Sequence, residues 1–103
     1  MKNFKIIFSS KAEADLTDII EYISGELKQP LTANKLLNLF KKQISTLSFM
    51  PERNKKLKFT LHSFNIRYLP VKNYLVFYII DDLNKNIVII RVLHKKRNWE
   101  YLL

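Results

Sequence analysis

The stretch Ile87-Val88-Ile89-Ile90-Arg91-Val92-Leu93 is apolar at odd and even positions alike, so a strand built from it needs cover on both faces. A second strand-like run, Tyr74-Leu75-Val76-Phe77-Tyr78-Ile79-Ile80, lies just before it across the turn Asp81-Asp82-Leu83-Asn84-Lys85-Asn86. Two adjacent strands joined by a tight turn form an antiparallel pair. Phe64-Asn65-Ile66-Arg67-Tyr68-Leu69 reads as a third strand, giving a meander that must be packed against something else.

The N-terminal half supplies that cover. Phe4-Lys5-Ile6-Ile7-Phe8 is short, aromatic and β-branched, and reads as a first strand with Met1-Lys2-Asn3 as its lead-in. Ser10 and Glu13 have capping-box spacing, which predicts a helix starting at Lys11. Leu16, Ile19, Ile20, Ile23 and Leu27 form its apolar stripe, with Asp15, Asp18 and Glu21 expected on the wet side. Gly25 weakens the last turn and Pro30 marks a break, suiting the first turn of a second helix whose stripe is Leu36, Leu37, Phe40, Ile44 and Leu47. Met50-Pro51 ends it, because the residue before a proline is pushed out of the helical region. Residues 53–62 read as a basic loop or irregular strand, and Asn98 to Leu103 as a short docked helix. The expected fold is α+β in the order β-α-α-β-β-β: an antiparallel sheet covered by an N-terminal helical hairpin, all within one domain spanning 1–103.

Composition narrows the function. Hydrophobic residues make up 48% and aromatics 13% of the 103 residues, ample for a core without staples. Cysteine is absent, which excludes disulfides, thiolate zinc sites and cysteine nucleophiles, and the cytoplasm is the expected compartment. No apolar run approaches a bilayer span and no signal-peptide core is visible, so no membrane partner is expected. One glycine rules out a Gly-rich phosphate loop, and no His/carboxylate cluster has metal-ligand spacing, so neither cofactor nor metal is expected.

Charge is lopsided. The net charge is +9; residues 1–50 hold seven basic and five acidic groups (+2), while residues 51–103 hold eleven and four (+7). The cations cluster at Arg53-Lys55-Lys56-Lys58 and at Arg91-Lys95-Lys96-Arg97, a pattern suited to a polyanionic or acidic partner. Arg91, His94, Lys95, Lys96 and Arg97 surround the exit of the two-faced strand, and Arg67 lies on a neighbouring strand; these six are the candidate target-binding residues. His94 reads either as a titrating catalyst or as a residue that closes the strand end through a backbone hydrogen bond. Arg67 reads either as a phosphate ligand or as half of an ion pair with Asp81 or Glu21. Tyr74 and Tyr78 share a face, and Trp99 is expected to anchor the C-terminal segment.

The blocks Ile7-Phe8-Ser9, Lys11-Ala12-Glu13-Ala14-Asp15-Leu16, Ile19-Ile20-Glu21-Tyr22-Ile23, Pro51-Glu52-Arg53, Arg67 before Leu69-Pro70-Val71, Tyr74 to Tyr78, and Arg91-Val92-Leu93-His94 with Arg97 and Trp99 resemble, in order and spacing, toxins of the RelE/ParE superfamily. The resemblance implies the toxin of a type II toxin–antitoxin pair, held in a hetero-oligomer by a cognate acidic antitoxin. It also implies one of two targets: DNA gyrase, as for ParE-like members, or the ribosome with its mRNA, as for RelE-like endoribonucleases. If RNA is cut, His94, Arg67 and Arg91 are the catalytic candidates, because activation of a 2′-OH, donation to the leaving oxygen and neutralisation of the phosphate must then come from side chains. Ribonuclease members carry an arginine in the strand matched by Tyr74 to Tyr78, where this chain has Leu75, so the ParE-like target is the leading expectation.

Overall fold

A computed structural model describes residues 3–61 and 63–103; the Met1-Lys2 part of the strand lead-in and His62, at the end of the basic 53–62 stretch, lie outside them. Strand β1 (Lys5–Phe8) leads into α1 (Ser10–Glu21), a π-helical turn (Tyr22–Glu26) and α2 (Pro30–Ser45). After short 3₁₀ turns at Thr46–Ser48 and Pro51–Arg53 come β2 (Lys56–Leu61), β3 (Phe64–Val71), β4 (Tyr74–Asp81), β5 (Asn86–His94) and a last 3₁₀ turn at Trp99–Tyr101.

The five strands form one sheet in the order β1-β5-β4-β3-β2. The expected meander is present as β3-β4-β5, each pair antiparallel. The sheet is nevertheless mixed, because β1 runs parallel to β5 with Lys5 opposite Asn86 and Phe8 opposite Ile89. The basic stretch contributes a fifth strand, β2, antiparallel to β3 with a register shift between Lys56 and Thr60.

The start of α1 is set one residue earlier than the capping-box spacing predicts. Ser9 is the N-cap: its Oγ accepts the Ala12 N–H at 3.1 Å and donates to the Ile90 carbonyl at 3.0 Å, while the Glu13 N–H goes to the Ser9 carbonyl at 3.0 Å. Ser9 wins over Ser10 because one hydroxyl then serves both the helix and β5. Gly25 falls in the π turn, and Pro30 occupies the first turn of α2, as its fixed φ favours.

Two apolar layers result. Phe40, Ile44 and Leu47 pack with Val76, Tyr78, Ile87, Ile89 and Val92 between helices and sheet. On the other face Ile66, Leu75, Phe77, Ile79, Ile90 and Leu93 are covered by Trp99, Leu102 and Leu103, so the C-terminal segment supplies the cover that β5 requires. Fully buried side chains such as Phe40 and Phe77 each stabilise by roughly 1.5–3 kcal/mol relative to exposure.

A bulge in β5 determines where its later residues point. Tyr78 faces Ile89 and Phe77 faces Arg91, leaving Ile90 without a partner on β4. Ile87 and Ile89 belong to the helix-covered layer, and after the bulge Val92 joins them, so the alternation slips by one. Arg91 is thereby turned away from the helix-covered core.

Candidate functional site

The end of the sheet where β4 begins and β5 finishes is built from Tyr74, which pairs with His94. The Lys95 N–H donates to the Asn73 carbonyl at 2.8 Å, tying the chain after β5 to the β3–β4 turn. His94 then organises the next residues: its Nδ1 accepts the Lys96 N–H at 3.1 Å and its carbonyl accepts the Arg97 N–H at 3.0 Å. The His94 ring meets Tyr74 edge-on at 5.3 Å, and Tyr74 meets Phe40 edge-on at 5.6 Å, so the turn is anchored to the core through an aromatic ladder. Lys95, Lys96 and Arg97 are exposed and have no carboxylate partner among the described residues.

The two strand arginines are engaged elsewhere. Arg91 donates from Nε to Asp15 Oδ2 at 2.7 Å, from Nη2 to Asp15 Oδ1 at 2.8 Å and from Nη1 to the Leu102 carbonyl at 3.0 Å. The side chains are only 16% and 11% exposed, and the hydrogen-bonded carboxylate raises the Arg91 pKa above its ordinary value against the opposing effect of burial. Asp15 is therefore not on the wet side of α1 as its spacing predicts, whereas Asp18 and Glu21 are exposed. Arg67 pairs with neither Asp81 nor Glu21. Its Nη1 donates to the carbonyls of Glu52 at 3.0 Å and Asn54 at 2.6 Å. Across the strand pair, the Tyr78 hydroxyl donates to the Pro51 carbonyl and accepts from Asn54 Nδ2 at 3.1 Å. Arg67 and Tyr78 together clamp the Pro51–Asn54 turn onto the sheet.

Burial pushes the Tyr78 hydroxyl above the ordinary tyrosine pKa, outweighing the Asn54 hydrogen bond and the nearby Arg67 and Arg53 charges; burial, aided by Tyr22, raises that of Tyr74. The six candidates thus separate: His94, Lys95, Lys96 and Arg97 share one turn, while Arg67 and Arg91 hold distant parts of the chain. Missed by sequence reasoning were Asp15, read as solvated, and Lys72-Asn73, whose only signal is a polar pair between two strands. Among the described residues no helix is long and apolar enough to cross a membrane, and no His/Asp/Glu group of three could hold a metal ion.

These features define a class: small basic α+β proteins with a helical hairpin on one sheet face, a C-terminal segment on the other and free cations at one sheet end. Residues 6–99 match the family described as the ParE toxin of type II toxin–antitoxin systems, and the chain belongs to that family. In fold it is similar to the chromosomal ParDE system of P. aeruginosa, with a TM-score of 0.71 at 19% identity over 88% of this chain and 95% of that one. It is also similar to the RelBE2 toxin–antitoxin complex of Mycobacterium tuberculosis, with 0.59 at 25% identity over 89% and 98%. The archaeal RelE–RelB complex of Pyrococcus horikoshii gives 0.65 at 16% identity over 92% and 98%. Comparison with curated proteins gives no significant match.

Proposed function

We propose that this chain is the toxin of a type II pair that arrests growth by binding DNA gyrase through the turn carrying His94, Lys95, Lys96 and Arg97. The observation that carries the choice of target is the engagement of both strand arginines: Arg91 by Asp15 and the Leu102 carbonyl, Arg67 by two further carbonyls. A cation so engaged does not turn to stabilise a developing phosphorane, and Leu75, packed in the second-face core, supplies none. Exposed, unpaired lysines and arginine on a turn instead suit steering toward an acidic protein face.

The alternative, ribosome-dependent cleavage of mRNA, is favoured by one feature. His94, the one histidine among the described residues, sits beside those cations. The test is direct. Purified toxin should inhibit gyrase supercoiling, with His94→Ala changing inhibition only modestly. Cleavage of ribosome-bound mRNA that His94→Ala abolishes, with gyrase untouched, would replace this reading by the other.

A cognate acidic antitoxin completes the proposal, in a hetero-oligomer like the complexes named for the M. tuberculosis and P. horikoshii neighbours. An apolar cavity of about 260 Å³ opens between β1, α1 and α2, walled by Ile6, Phe8, Leu16, Leu37, Phe40 and Ile44. It suits the apolar face of an amphipathic helix, and the net charge of +9 suits acidic flanks.

A further inference from the structure

A second cavity, of about 330 Å³, lies at the tip of the helical hairpin against the β3–β4 turn. Its floor is apolar, made by Ile23 from the π turn, Leu36 and Leu39 from α2, and Tyr74 from β4; its mouth carries Lys35, Lys72 and Thr32, and no carboxylate lines it. It adjoins the His94 turn on two counts. Tyr74, part of its wall, stacks edge-on against the His94 ring, and Asn73, another lining residue, accepts the Lys95 N–H.

The local backbone is irregular on both sides of the opening. The first helix runs into a π turn at Tyr22–Glu26, in which Ile23 is buried and Tyr22 is 56% exposed. Lys72 adopts φ 54°, a left-handed conformation that a lysine seldom takes. An apolar floor, a lysine mouth and continuity with an unpaired cationic turn together specify an occupant: a peptide segment carrying one large apolar side chain between acidic neighbours. The volume is at the small end of the roughly 300–1,000 Å³ of ligand pockets, the scale of a socket for one anchoring side chain.

We infer that this cavity is the anchor socket of the target-binding surface, taking an aromatic side chain from an acidic segment of the toxin's protein target. The inference rests on the reading that the His94 turn contacts a protein target, and deepens it by adding the apolar contact that the cations alone lack.

The socket is tested without the target by titrating the isotopically labelled full chain with the peptide acetyl-Asp-Glu-Phe-Glu-Asp-amide and with its alanine-centred counterpart, followed by amide NMR shifts. The phenylalanine peptide should shift Ile23, Leu36, Leu39 and Tyr74 and bind at least tenfold more tightly than the alanine peptide. Thr32→Trp, at an exposed position of the mouth, should abolish that difference with the circular dichroism unchanged. Lys35→Glu with Lys72→Glu should weaken both peptides and leaves the floor intact, so a folding failure of one variant does not remove the test. Equal binding of both peptides, or shifts confined to the β1 groove, would overturn the socket. In the presence of gyrase, Thr32→Trp should raise the concentration for half-inhibition at least tenfold with antitoxin binding unchanged. Loss of antitoxin binding with inhibition retained would overturn its assignment to the target. A parent chain that leaves gyrase uninhibited sinks the proposed function, while the peptide titration still judges the socket.

Discussion

Asp15 and Arg91, 76 residues apart in sequence, meet in a two-pronged ion pair whose carboxylate also accepts the backbone N–H of Val92 at 2.9 Å. Beyond Ile89, β5 has lost β1 as a neighbour, and Asp15 takes over by satisfying an edge amide that α1 covers. One side chain thus joins the first helix, the last strand and, through Arg91, the carbonyl of Leu102.

Arg91→Ala should therefore destabilise the fold by about 3 kcal/mol, since it leaves a mostly buried carboxylate with one donor. Urea unfolding measures this. Arg97→Ala, on the exposed turn, should stay within about 0.5 kcal/mol of the parent. Equal midpoints for parent and Arg91→Ala would show the pair to be energetically idle.

Tyr78→Phe removes the hydroxyl that holds the Pro51 carbonyl, leaving that carbonyl without its donor, and should cost about 1–2 kcal/mol. Hydrogen exchange should rise locally, around residues 51–54 and at the Tyr68 amide, which donates to the Lys55 carbonyl beside this turn. Exchange rising evenly throughout the sheet would contradict a local clamp.

Tyr74 and Tyr78 make stability pH-dependent in the alkaline range. Both have folded pKa values raised above the ordinary tyrosine value, so their contribution is fully present below the unfolded pKa of about 10 and is lost as pH rises through the folded values. Chemical denaturation across this range should show stability falling with pH, and Tyr78→Phe should flatten the fall. An unchanged slope in that variant would place the effect elsewhere.

Reversing charge at the sheet end, with Lys95→Glu and Arg97→Glu together, should weaken target binding by at least tenfold and leave the melting temperature near the parent's, because neither side chain has an internal ionic partner among the described residues. The same binding should weaken as salt is raised. Salt-independent binding by both proteins would remove electrostatics from the interface.

What could be read from the sequence was local. The periodicity of Leu36, Phe40 and Ile44 and the β-branched runs of β4 and β5 depend on neighbours a few residues away, and those elements lie where their patterns put them, although α2 ends at Ser45, short of the expected stop at Met50-Pro51, and leaves Leu47 to the 3₁₀ turn that follows. The choice of Ser9 over Ser10 depended on the Ile90 carbonyl, a partner 81 residues distant, and no capping rule contains it. Arg91 counted as a free cation for the same reason: its partner lies in the first helix. Strand β2 was blurred because its ladder shifts register between Lys56 and Thr60, and lysines that mark a loop also suit an exposed sheet edge. The His94–Arg97 turn stood out as a run of like charges, whereas the lysine mouth beside it combines Lys35 and Lys72 from elements far apart in the chain.

The parallel pairing of β1 with β5 has a consequence for how the protein comes into being. Lys5 has no sheet partner until Asn86 has been synthesised, and Asp15 has no guanidinium to hold until Arg91 follows. Contacts of such long separation close late and slowly. A nascent chain halted short of β5 lacks both the ladder that seats β1 and the guanidinium that Asp15 holds, so its first strand and first helix have nothing to close against.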